Sequence, residues 1–285
     1  MRIGIVGDIH RHWGPDDLRC FDRSELDLLL FVGDLGGHLQ RGALDVARSI
    51  ARLQVPALVV PGNHDAANLG QLLGEVVGSR ALIRGFAPGH GGRRDRLERA
   101  LSPVPLGGYS RHRFGDLNVI CGRPHSMGGP SLGFEPLLAQ RFGVGSLQES
   151  AQRLRALVDE APPGDLLFVA HNGPTGLGDR REDPWGCDFR KEQGDFGDPD
   201  LRAAIDHAQG TGRRVVAVVA GHMHRRLRGG GERRWQGSVD GVLHVNAAVV
   251  PRVRSGRRHH VLLRLIDGAA QAEDRWIDDA GGEMD

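Results

Sequence analysis

The chain alternates short, wholly apolar runs with longer stretches in which apolar residues recur every three or four positions. Short apolar runs indicate strands buried on both faces, and the longer periodic stretches indicate helices. Strands separated by helices in the first two thirds favour βαβ units, whereas about the last 50 residues favour strands joined by turns. We therefore expect an α/β fold in which two packed sheets carry helices on their outer sides. The predicted strands cover residues 2–6, 28–32, 57–60, 117–121, 166–170, 215–220, 242–245 and 260–266, and the predicted helices cover residues 41–53, 147–160 and 199–209.

Two segments, residues 86–113 and 173–198, are rich in Gly, Pro and Arg and show little apolar periodicity. Loops of that length inside a compact domain are usually functional lids or disordered. No internal repeat and no linker interrupts the chain. The sequence therefore predicts one domain over residues 1–275, followed by a flexible tail over residues 276–285.

The composition is that of an ordinary globular protein, with 39% hydrophobic and 26% charged residues in a chain of 285. The formal net charge of +1 provides no global field for binding nucleic acid or a membrane. Basic stretches occur at residues 224–234 and 252–260, but they lack the aromatic residues on which single-stranded nucleic acid stacks. Nucleic acid is therefore not an expected partner.

Three widely spaced cysteines, without a Cys-x-x-Cys pair, favour a reducing compartment over a disulfide framework. The N-terminal segment does not resemble a signal peptide. No apolar run approaches the length of about 18 residues that a membrane-spanning helix needs. We therefore expect a cytoplasmic protein that is not inserted in a membrane.

The candidate chemistry lies where the predicted strands end, because five strands finish in an Asp, Asn or His beside a small residue. In open α/β sheets, ligands collect beyond the carboxyl ends of the strands. We therefore expect these side chains to converge on one crevice. They are the carboxylates Asp8 and Asp34, the amide Asn63, and the imidazoles His10, His171, His222 and His224.

Seven ligand-type residues are too many for one tetrahedral ion but suit two ions that share a carboxylate. Two ions about 3.5–4 Å apart can hold the attacking and leaving oxygens of a phosphoryl transfer. His222 and His224 are two residues apart, so in an extended chain they point to the same side, and we expect each to serve a different ion. Nitrogen and oxygen ligands without a thiolate fit Mn, Fe, Co, Ni or Zn. Any one of these histidines alone is more often structural, and it is their combination that carries the prediction.

The order of the five blocks, Asp-x-His, Gly-Asp, Gly-Asn-His-Asp, a strand-end His and Gly-His-x-His, resembles the calcineurin-like metallophosphoesterase superfamily. The resemblance covers about residues 2–266. It implies a four-layer α/β/β/α sandwich of two mixed sheets flanked by helices, with a dinuclear metal centre. It also implies that Asp8, His10 and His224 bind the first ion, that Asn63, His171 and His222 bind the second, and that Asp34 bridges them.

The resemblance further implies hydrolysis of a phosphate ester by a hydroxide that bridges the two ions. Metal binding lowers the pKa of water from about 15.7 to about 7, which makes such a nucleophile available at neutral pH. By the same resemblance, His64 binds no metal and protonates the leaving oxygen. Asp65 is expected to orient His64. We expect manganese to support activity in vitro.

Substrate contacts are expected from Arg11 and Arg123, which can grip a phosphate with two parallel hydrogen bonds, and from His125. A solvated surface position for each arginine, and a structural position for the histidine, are the alternatives. The segment 173–198 leaves the sheet directly after His171, and we expect it to set substrate choice. Pairing with nearby acidic residues is the alternative for its cations, which are Arg180, Arg181, Arg190 and Lys191.

The motifs depart from two well-known branches of the superfamily. Asp34 is followed by Leu-Gly-Gly instead of a pattern containing Asp-Arg-Gly, and Asp65 stands where protein phosphatases have Glu. Asn172 and Gly173 stand where cyclic-nucleotide phosphodiesterases have His and Pro. The blocks around residues 170–178 and 194–199 are instead similar to an uncharacterised branch of photosynthetic bacteria and plastids, which brings no known substrate.

Three functions remain open at this point. The preferred one is a phosphomonoesterase acting on a small phosphorylated metabolite or a phosphoprotein. The second is a phosphodiesterase acting on a nucleotide or lipid headgroup, because both reactions use the same centre. The third is an inert scaffold, such as the retromer subunit that resembles the superfamily, but such scaffolds lose ligands, and here every ligand and His64 are present.

Overall fold

The computed structural model describes residues 1–37, 42–66, 90–189 and 194–278, together with the backbone of residues 283–284. Within them, two mixed sheets pack face to face and helices cover both outer faces. This confirms the predicted four-layer α/β/β/α sandwich. The strands are β1 (Arg2–Val6), β2 (Leu28–Phe31), β3 (Ala57–Val59), β4 (Ser110–Phe114), β5 (Leu117–Cys121), β6 (Asp165–Val169), β7 (Val215–Ala220), β8 (Gln236–Val239), β9 (Val242–Asn246), β10 (Val253–Arg254), β11 (Arg257–Ile266), β12 (Ala269–Ile277) and β13 (Glu283–Met284). The helices are α1 (Pro15–Asp22), α2 (Ala43–Ile50), α3 (Asn63–Ala66), α4 (His90–Leu101), α5 (Glu135–Phe142), α6 (Leu147–Asp159) and α7 (Pro199–Gly210).

Each sheet combines parallel and antiparallel strands. The first sheet has the order β13-β12-β11-β1-β2-β3, with β10 on β11, and β1, β2 and β3 run parallel. The second has the order β4-β5-β6-β7-β9-β8, in which β5, β6, β7 and β9 run parallel. The antiparallel pair β11–β12 confirms the turn-linked strands predicted near the end of the chain.

Strand β2 shows why the apolar runs are unbroken. Leu28 and Leu30 face the second sheet in the central core, whereas Leu29 and Phe31 face the helices outside. Successive side chains of a strand point to opposite faces, and here both faces are covered, so every position is apolar. The same alternation in the second sheet places Val169 in the central core and Phe168 beneath the outer helices.

The segment 86–113, predicted as one long loop, instead contains helix α4 and strand β4. Leu97 and Leu101 anchor α4 on the first sheet, but the many Gly and Arg residues around them obscure the helical period. Strand β4 is a polar edge strand that pairs only with β5 among the described strands. Residues 86–89 lie outside the described residues.

The boundary predicted at residue 276 falls inside strand β12. Strand β12 runs to Ile277, and Glu283–Met284 pairs with Trp276 and Ile277. The polar, alternating composition of β12 had given no apolar run to predict it. Among the described residues, no helix is long and apolar enough to cross a membrane.

Candidate metal centre

The seven ligand-type residues meet at one edge of the sandwich, beyond the carboxyl ends of five parallel strands. The first sheet contributes four of them and the second sheet contributes three. Asp8 and His10 follow β1, Asp34 follows β2, Asn63 follows β3, His171 follows β6, and His222 and His224 follow β7.

Several of these residues adopt a left-handed backbone conformation. The φ angles are 43° at Asp8, 44° at His10, 53° at Asp34 and 67° at His222. Such conformations are uncommon outside glycine and cluster at functional sites. They turn the chain sharply as each strand ends, so the segment carrying His222 and His224 is not extended, as the sequence interpretation had assumed.

The first cluster contains Asp8, His10 and His224. The Nε2 atoms of the two imidazoles are 3.2 Å apart, and His224 Nε2 lies 3.8 Å from Asp8 Oδ1. Asp8 Oδ1 is buried and has no hydrogen-bond donor from the protein. A buried carboxylate oxygen without a donor is costly unless a cation faces it.

The second cluster contains Asn63, His171 and His222. His171 Nε2 lies 2.9 Å from Asn63 Oδ1 and 3.1 Å from His222 Nδ1. The two imidazoles after β7 therefore belong to different clusters, since His222 faces His171 while His224 faces His10.

Asp34 lies between the two clusters. Its Oδ2 atom is 3.8 Å from His10 Nε2, and its Oδ1 atom is 3.6 Å from His171 Nε2. The two oxygens thus face opposite groups of imidazoles, which is the arrangement that a shared carboxylate requires.

The spacing of the donors fits transition-metal ions. Two ligand atoms that share an ion at about 2.1 Å lie roughly 3.0–3.4 Å from each other. The His10–His224 distance of 3.2 Å and the His171–His222 distance of 3.1 Å agree with this spacing. The site therefore suits one ion in each cluster with Asp34 between them.

Backbone carbonyls set the tautomers of two imidazoles. His171 Nδ1 lies 2.6 Å from the Val32 carbonyl, and His222 Nε2 lies 3.1 Å from the Met127 carbonyl. A carbonyl oxygen only accepts, so these ring nitrogens carry the protons and donate. The lone pairs are left on His171 Nε2 and His222 Nδ1, the atoms that face each other across the second cluster. Sequence reasoning missed the role of Met127, because a backbone contact leaves no signal in residue type.

Glycines beside the ligands let the carboxylates approach the backbone. A Cβ on Gly221 would lie 2.5 Å from Asp8 Oδ2, and one on Gly62 would lie 2.2 Å from Asp34 Oδ1. The group that approaches Gly221 is therefore the carboxylate of Asp8.

Burial keeps the imidazoles neutral and penalises one of the carboxylates. It lowers the pKa of His222 to about 3 and that of His224 to about 4. Burial and the neighbouring Asp34 raise the pKa of Asp8 well above its usual range. Burial also disfavours the Asp34 carboxylate, but His171, His64 and His10 outweigh it and hold the pKa of Asp34 below its usual range. Neutral imidazoles and a carboxylate that needs a counter-charge are what a cation site presents.

His64 lies beside the two clusters in the short helix α3. The turn forms after Gly62, whose carbonyl accepts from the backbone N–H of Asp65 at 3.2 Å. The backbone N–H of His64 donates to Asp34 Oδ1 at 2.9 Å, and its Nε2 atom lies 4.0 Å from Asp34 Oδ2. The side chain is 17% exposed, so this ring reaches both the centre and the solvent.

Asp65 joins two of the ligand loops. Its carboxylate accepts from the backbone N–H groups of Leu35 at 2.8 Å, Gly36 at 3.4 Å and Gly62 at 2.8 Å. These bonds tie the loop after Asp34 to the loop before α3. The sequence had predicted that Asp65 orients His64, whereas its carboxylate in the structure holds the backbone that carries both ligand loops.

Arg123 does not contact the crevice, which corrects the prediction that it binds substrate. It is 1% exposed, and its guanidinium donates to Asp198 Oδ1 at 2.8 Å and to Asp200 Oδ2 at 3.0 Å. Asp198 also accepts from Ser126 and from Asn172, the residue after ligand His171. Arg123 is therefore the centre of a buried network behind the site.

His125 is also unavailable to substrate, because it is fully buried. Its Nδ1 atom donates to the Gly62 carbonyl at 2.8 Å, and burial lowers its pKa to about 3. It supports the loop that carries Asn63 from the interior of the protein. Arg11 is exposed and directly follows His10, so it alone of the three predicted substrate contacts remains accessible.

The segment 173–198 is packed against the molecule over its described residues. Trp185 is fully buried, and a Cβ on Gly173 would lie 2.0 Å from its ring. Arg181 pairs with Glu182 at 2.6 Å, as the ion-pairing alternative expects. Arg190 and Lys191 lie outside the described residues.

The sequence matches a known protein family. The profile of the calcineurin-like phosphoesterases matches residues 1–226. The chain belongs to this family. Its members are dimetal phosphoesterases, in agreement with the two clusters that lie on either side of Asp34. No significant match was found among curated protein sequences.

Solved structures with low sequence identity share the fold. A dimetal phosphatase from Danio rerio is 13% identical, with a TM-score of 0.52 over 97% of this chain and 94% of its own. PhoD is 11% identical, with a TM-score of 0.51 over 100% of this chain and 71% of its own. A further solved structure, 14% identical, aligns over 96% of this chain and 98% of its own with a TM-score of 0.57.

Proposed function

We propose that this phosphoesterase is a metal-dependent phosphomonoesterase. The observation that carries the proposal is the position of Asp34 between two imidazole clusters, with His64 beside them and open to solvent. This arrangement supplies two cation sites and a separate group able to transfer a proton. The full set of ligands argues against an inert scaffold.

Each side chain has a distinct part in the proposed reaction. Asp8, His10 and His224 would hold one ion and Asn63, His171 and His222 the other, with Asp34 shared. When bound, the two ions lower the pKa of water and neutralise charge on the phosphoryl group. His64 donates a proton to the leaving oxygen, and Asp65 holds the loops that position Asp34 and Asn63.

We propose manganese as the ion that supports activity in vitro, from the set Mn, Fe, Zn, Co and Ni that this donor set suits. The proposed substrate is a small phosphorylated compound or a phosphoprotein. We propose no nucleic-acid partner, because several arginines of the basic segments are buried within the protein. These are Arg225, Arg233, Arg252 and Arg258.

The test is to strip the protein with a chelator, reload it with Mn²⁺, and assay nitrophenyl phosphate beside bis(nitrophenyl) phosphate. We expect about two ions per chain and faster hydrolysis of the monoester. Asp34→Asn should lose both ions together, because each of its oxygens faces a different cluster. Asp116→Asn is the matched control, since that carboxylate is exposed and pairs only with Arg113 among the described residues.

Three results would contradict the proposal. Faster diester hydrolysis would make the protein a phosphodiesterase. Retention of one tightly bound zinc, unaffected by Asp34→Asn, would exclude a shared centre. A fully loaded protein inactive on every ester would be a scaffold.

A further inference from the structure

A cavity of about 430 Å³ opens beside the metal centre, between the chain that follows His10 and helix α2. Its walls contain three arginines but only one carboxylate. The residues that matter here are Arg11, Trp13, Asp45, Arg48 and Arg52.

Arg11 connects this cavity to the centre. It directly follows the ligand His10, and its backbone N–H donates to the Leu35 carbonyl at 3.1 Å, beside Asp34. Its side chain lies across two glycines, since a Cβ on Gly37 would be 2.7 Å from Arg11 Cδ and one on Gly42 would be 3.3 Å from Arg11 Nε. The Arg11 side chain therefore extends from beside the metal centre along the wall of the cavity.

The floor of the cavity is rigid. Trp13 is 9% exposed, stacks on Phe21 with 5.5 Å between ring centroids, and donates from Nε1 to Ser49 Oγ at 3.1 Å. Arg252 lies against its ring from within the protein. A ligand in the cavity therefore meets a preformed surface.

The charge in the cavity is unbalanced. Arg48 pairs with Asp45 at 2.8 Å. No carboxylate of the described residues pairs with the guanidinium of Arg11 or Arg52, and residues 38–41, which are not described, contain none. Two exposed guanidinium groups in one cavity favour an anion that they can both approach.

We propose that this cavity binds a second anionic group of the substrate, so that the natural substrate is a phosphate ester that also carries a phosphate or a carboxylate. The inference rests on the proposed function, because one phosphate must occupy the metal centre. A neighbouring cavity of about 560 Å³ shares Arg52 but is also lined by Asp22, so the nearer cavity is the better anion site.

The test compares wild type with Arg52→Gln after loading with Mn²⁺. The substrates are fructose 1,6-bisphosphate and 3-phosphoglycerate, which carry a second anion, and nitrophenyl phosphate, which does not. We expect the ratio of kcat/KM between the two kinds of substrate to fall about tenfold, mainly through KM, because one charged hydrogen-bond partner is lost. Arg99→Gln, a change of an equally exposed arginine on α4, should leave the ratio unchanged.

Calorimetric binding of butane-1,4-diyl diphosphonate to the Mn²⁺-loaded protein gives a readout that does not depend on turnover, because its C–P bonds are not hydrolysed and four carbons separate its two anionic groups. Arg52→Gln should weaken this binding more than it weakens the binding of inorganic phosphate. If kcat/KM falls for fructose 1,6-bisphosphate alone, the cavity binds a second phosphate. If it falls equally for 3-phosphoglycerate, the cavity accepts a carboxylate as well as a phosphate. If all esters are hydrolysed and Arg52→Gln does not change the ratio of kcat/KM between the two kinds of substrate, the cavity proposal alone is overturned. Absence of hydrolysis in every variant would overturn the proposed function, and calorimetry would still decide the cavity.

Discussion

At the scale of single residues, the centre depends on backbone conformations that are unusual for the residue types involved. Asp8, His10 and Asp34 have positive φ angles, and each such conformation costs of order 1–3 kcal/mol. The hydrogen bonds that hold these turns include His10 N–H to the Asp34 carbonyl at 2.8 Å. The loops are therefore fixed before a ligand arrives, because each one is bonded to its neighbour.

Gly221→Ala should damage the first cluster. The new Cβ would lie 2.5 Å from Asp8 Oδ2 and 3.0 Å from Val32 Cγ2, so the carboxylate must move away from His224. We expect metal content to fall and activity to drop at least tenfold, as measured by metal analysis and turnover of nitrophenyl phosphate. Gly210→Ala is the control, because nothing lies within 4 Å of its Cβ, and it should leave both unchanged. Equal behaviour of the two variants would show that the contact with Asp8 has no consequence.

His64→Gln should lower kcat for alkyl phosphates by about 10²–10⁴, the usual contribution of a positioned acid. The loss should be much smaller for nitrophenyl phosphate, whose leaving group needs no proton. Metal content should stay the same, since His64 Nε2 is 4.0 Å from Asp34 Oδ2 and does not complete either cluster. A uniform loss across leaving groups would assign His64 another role.

The sequence predicted the ligand-type residues well but misjudged the residues around them. The order of the motifs identifies the metal ligands, because metal binding restricts the residue types at those positions. Arg123 and His125 look the same in sequence whether they face substrate or the interior, and only the fold buries them. Asp65 joins loops that are distant in the chain, which no local pattern can reveal.

At the scale of elements, Arg233 and Asn246 both link the segment after His171 to the loop that carries the ligands after β7. Arg233 donates from Nη1 to the carbonyls of Arg181, Asp183 and Gly186 at 2.7, 2.8 and 2.6 Å. Its Nε atom donates to the carbonyl of His224 at 3.2 Å. The same side chain thus binds both the segment and a ligand residue, so this segment is a fixed wall whose position depends on Arg233.

Arg233→Met should remove these four bonds and leave buried carbonyls without donors. We expect a loss of about 2–4 kcal/mol in the free energy of unfolding, since several buried acceptors lose a charged donor. His224 should also hold its ion less tightly, which a chelator titration of the loaded protein can measure. Arg226→Gln, at an exposed position nearby, should change neither quantity. Lower stability with unchanged metal affinity would separate the segment from the centre.

Apolar runs located most strands to within one or two residues, because both faces of each strand are buried. Helices α1 and α5 and the strands β8 and β12 were missed, since short or half-exposed elements mix polar and apolar residues. The segment 173–198 was predicted to be a loop, and for its described part this holds, but its buried Trp185 was not anticipated.

At the scale of the whole molecule, we expect buried histidines far from the centre to make the protein less stable in acid. His260 is 2% exposed against Phe21, and burial, together with His259 and Arg252, lowers its pKa to about 3. An unfolded histidine has a pKa of about 6.5, so between these values the unfolded chain binds the extra proton. The stabilising contribution is therefore full above about pH 6.5 and is lost as the pH falls, by up to about 1.4 kcal/mol per pH unit for this group.

His260→Gln should be less stable than wild type at pH 8, and the difference should shrink as the pH is lowered to 5. Urea unfolding at several pH values measures both curves, and groups common to the two proteins cancel in the difference. Two parallel curves would mean that His260 does not contribute to the acid sensitivity.

The division of ligands between the two sheets has a consequence for how the protein acquires its ions. Asp8 and Asp34 belong to the first sheet, whereas His171 and His224 belong to the second. Strand β1, which precedes Asp8, also pairs with β11, whose residues are synthesised long after those of β1. A nascent chain that has completed only the first strands therefore lacks the ligands of the second sheet. It also lacks strand β11, which pairs with the strand before Asp8. The two ions can therefore be held by their full sets of ligands only after both sheets have formed.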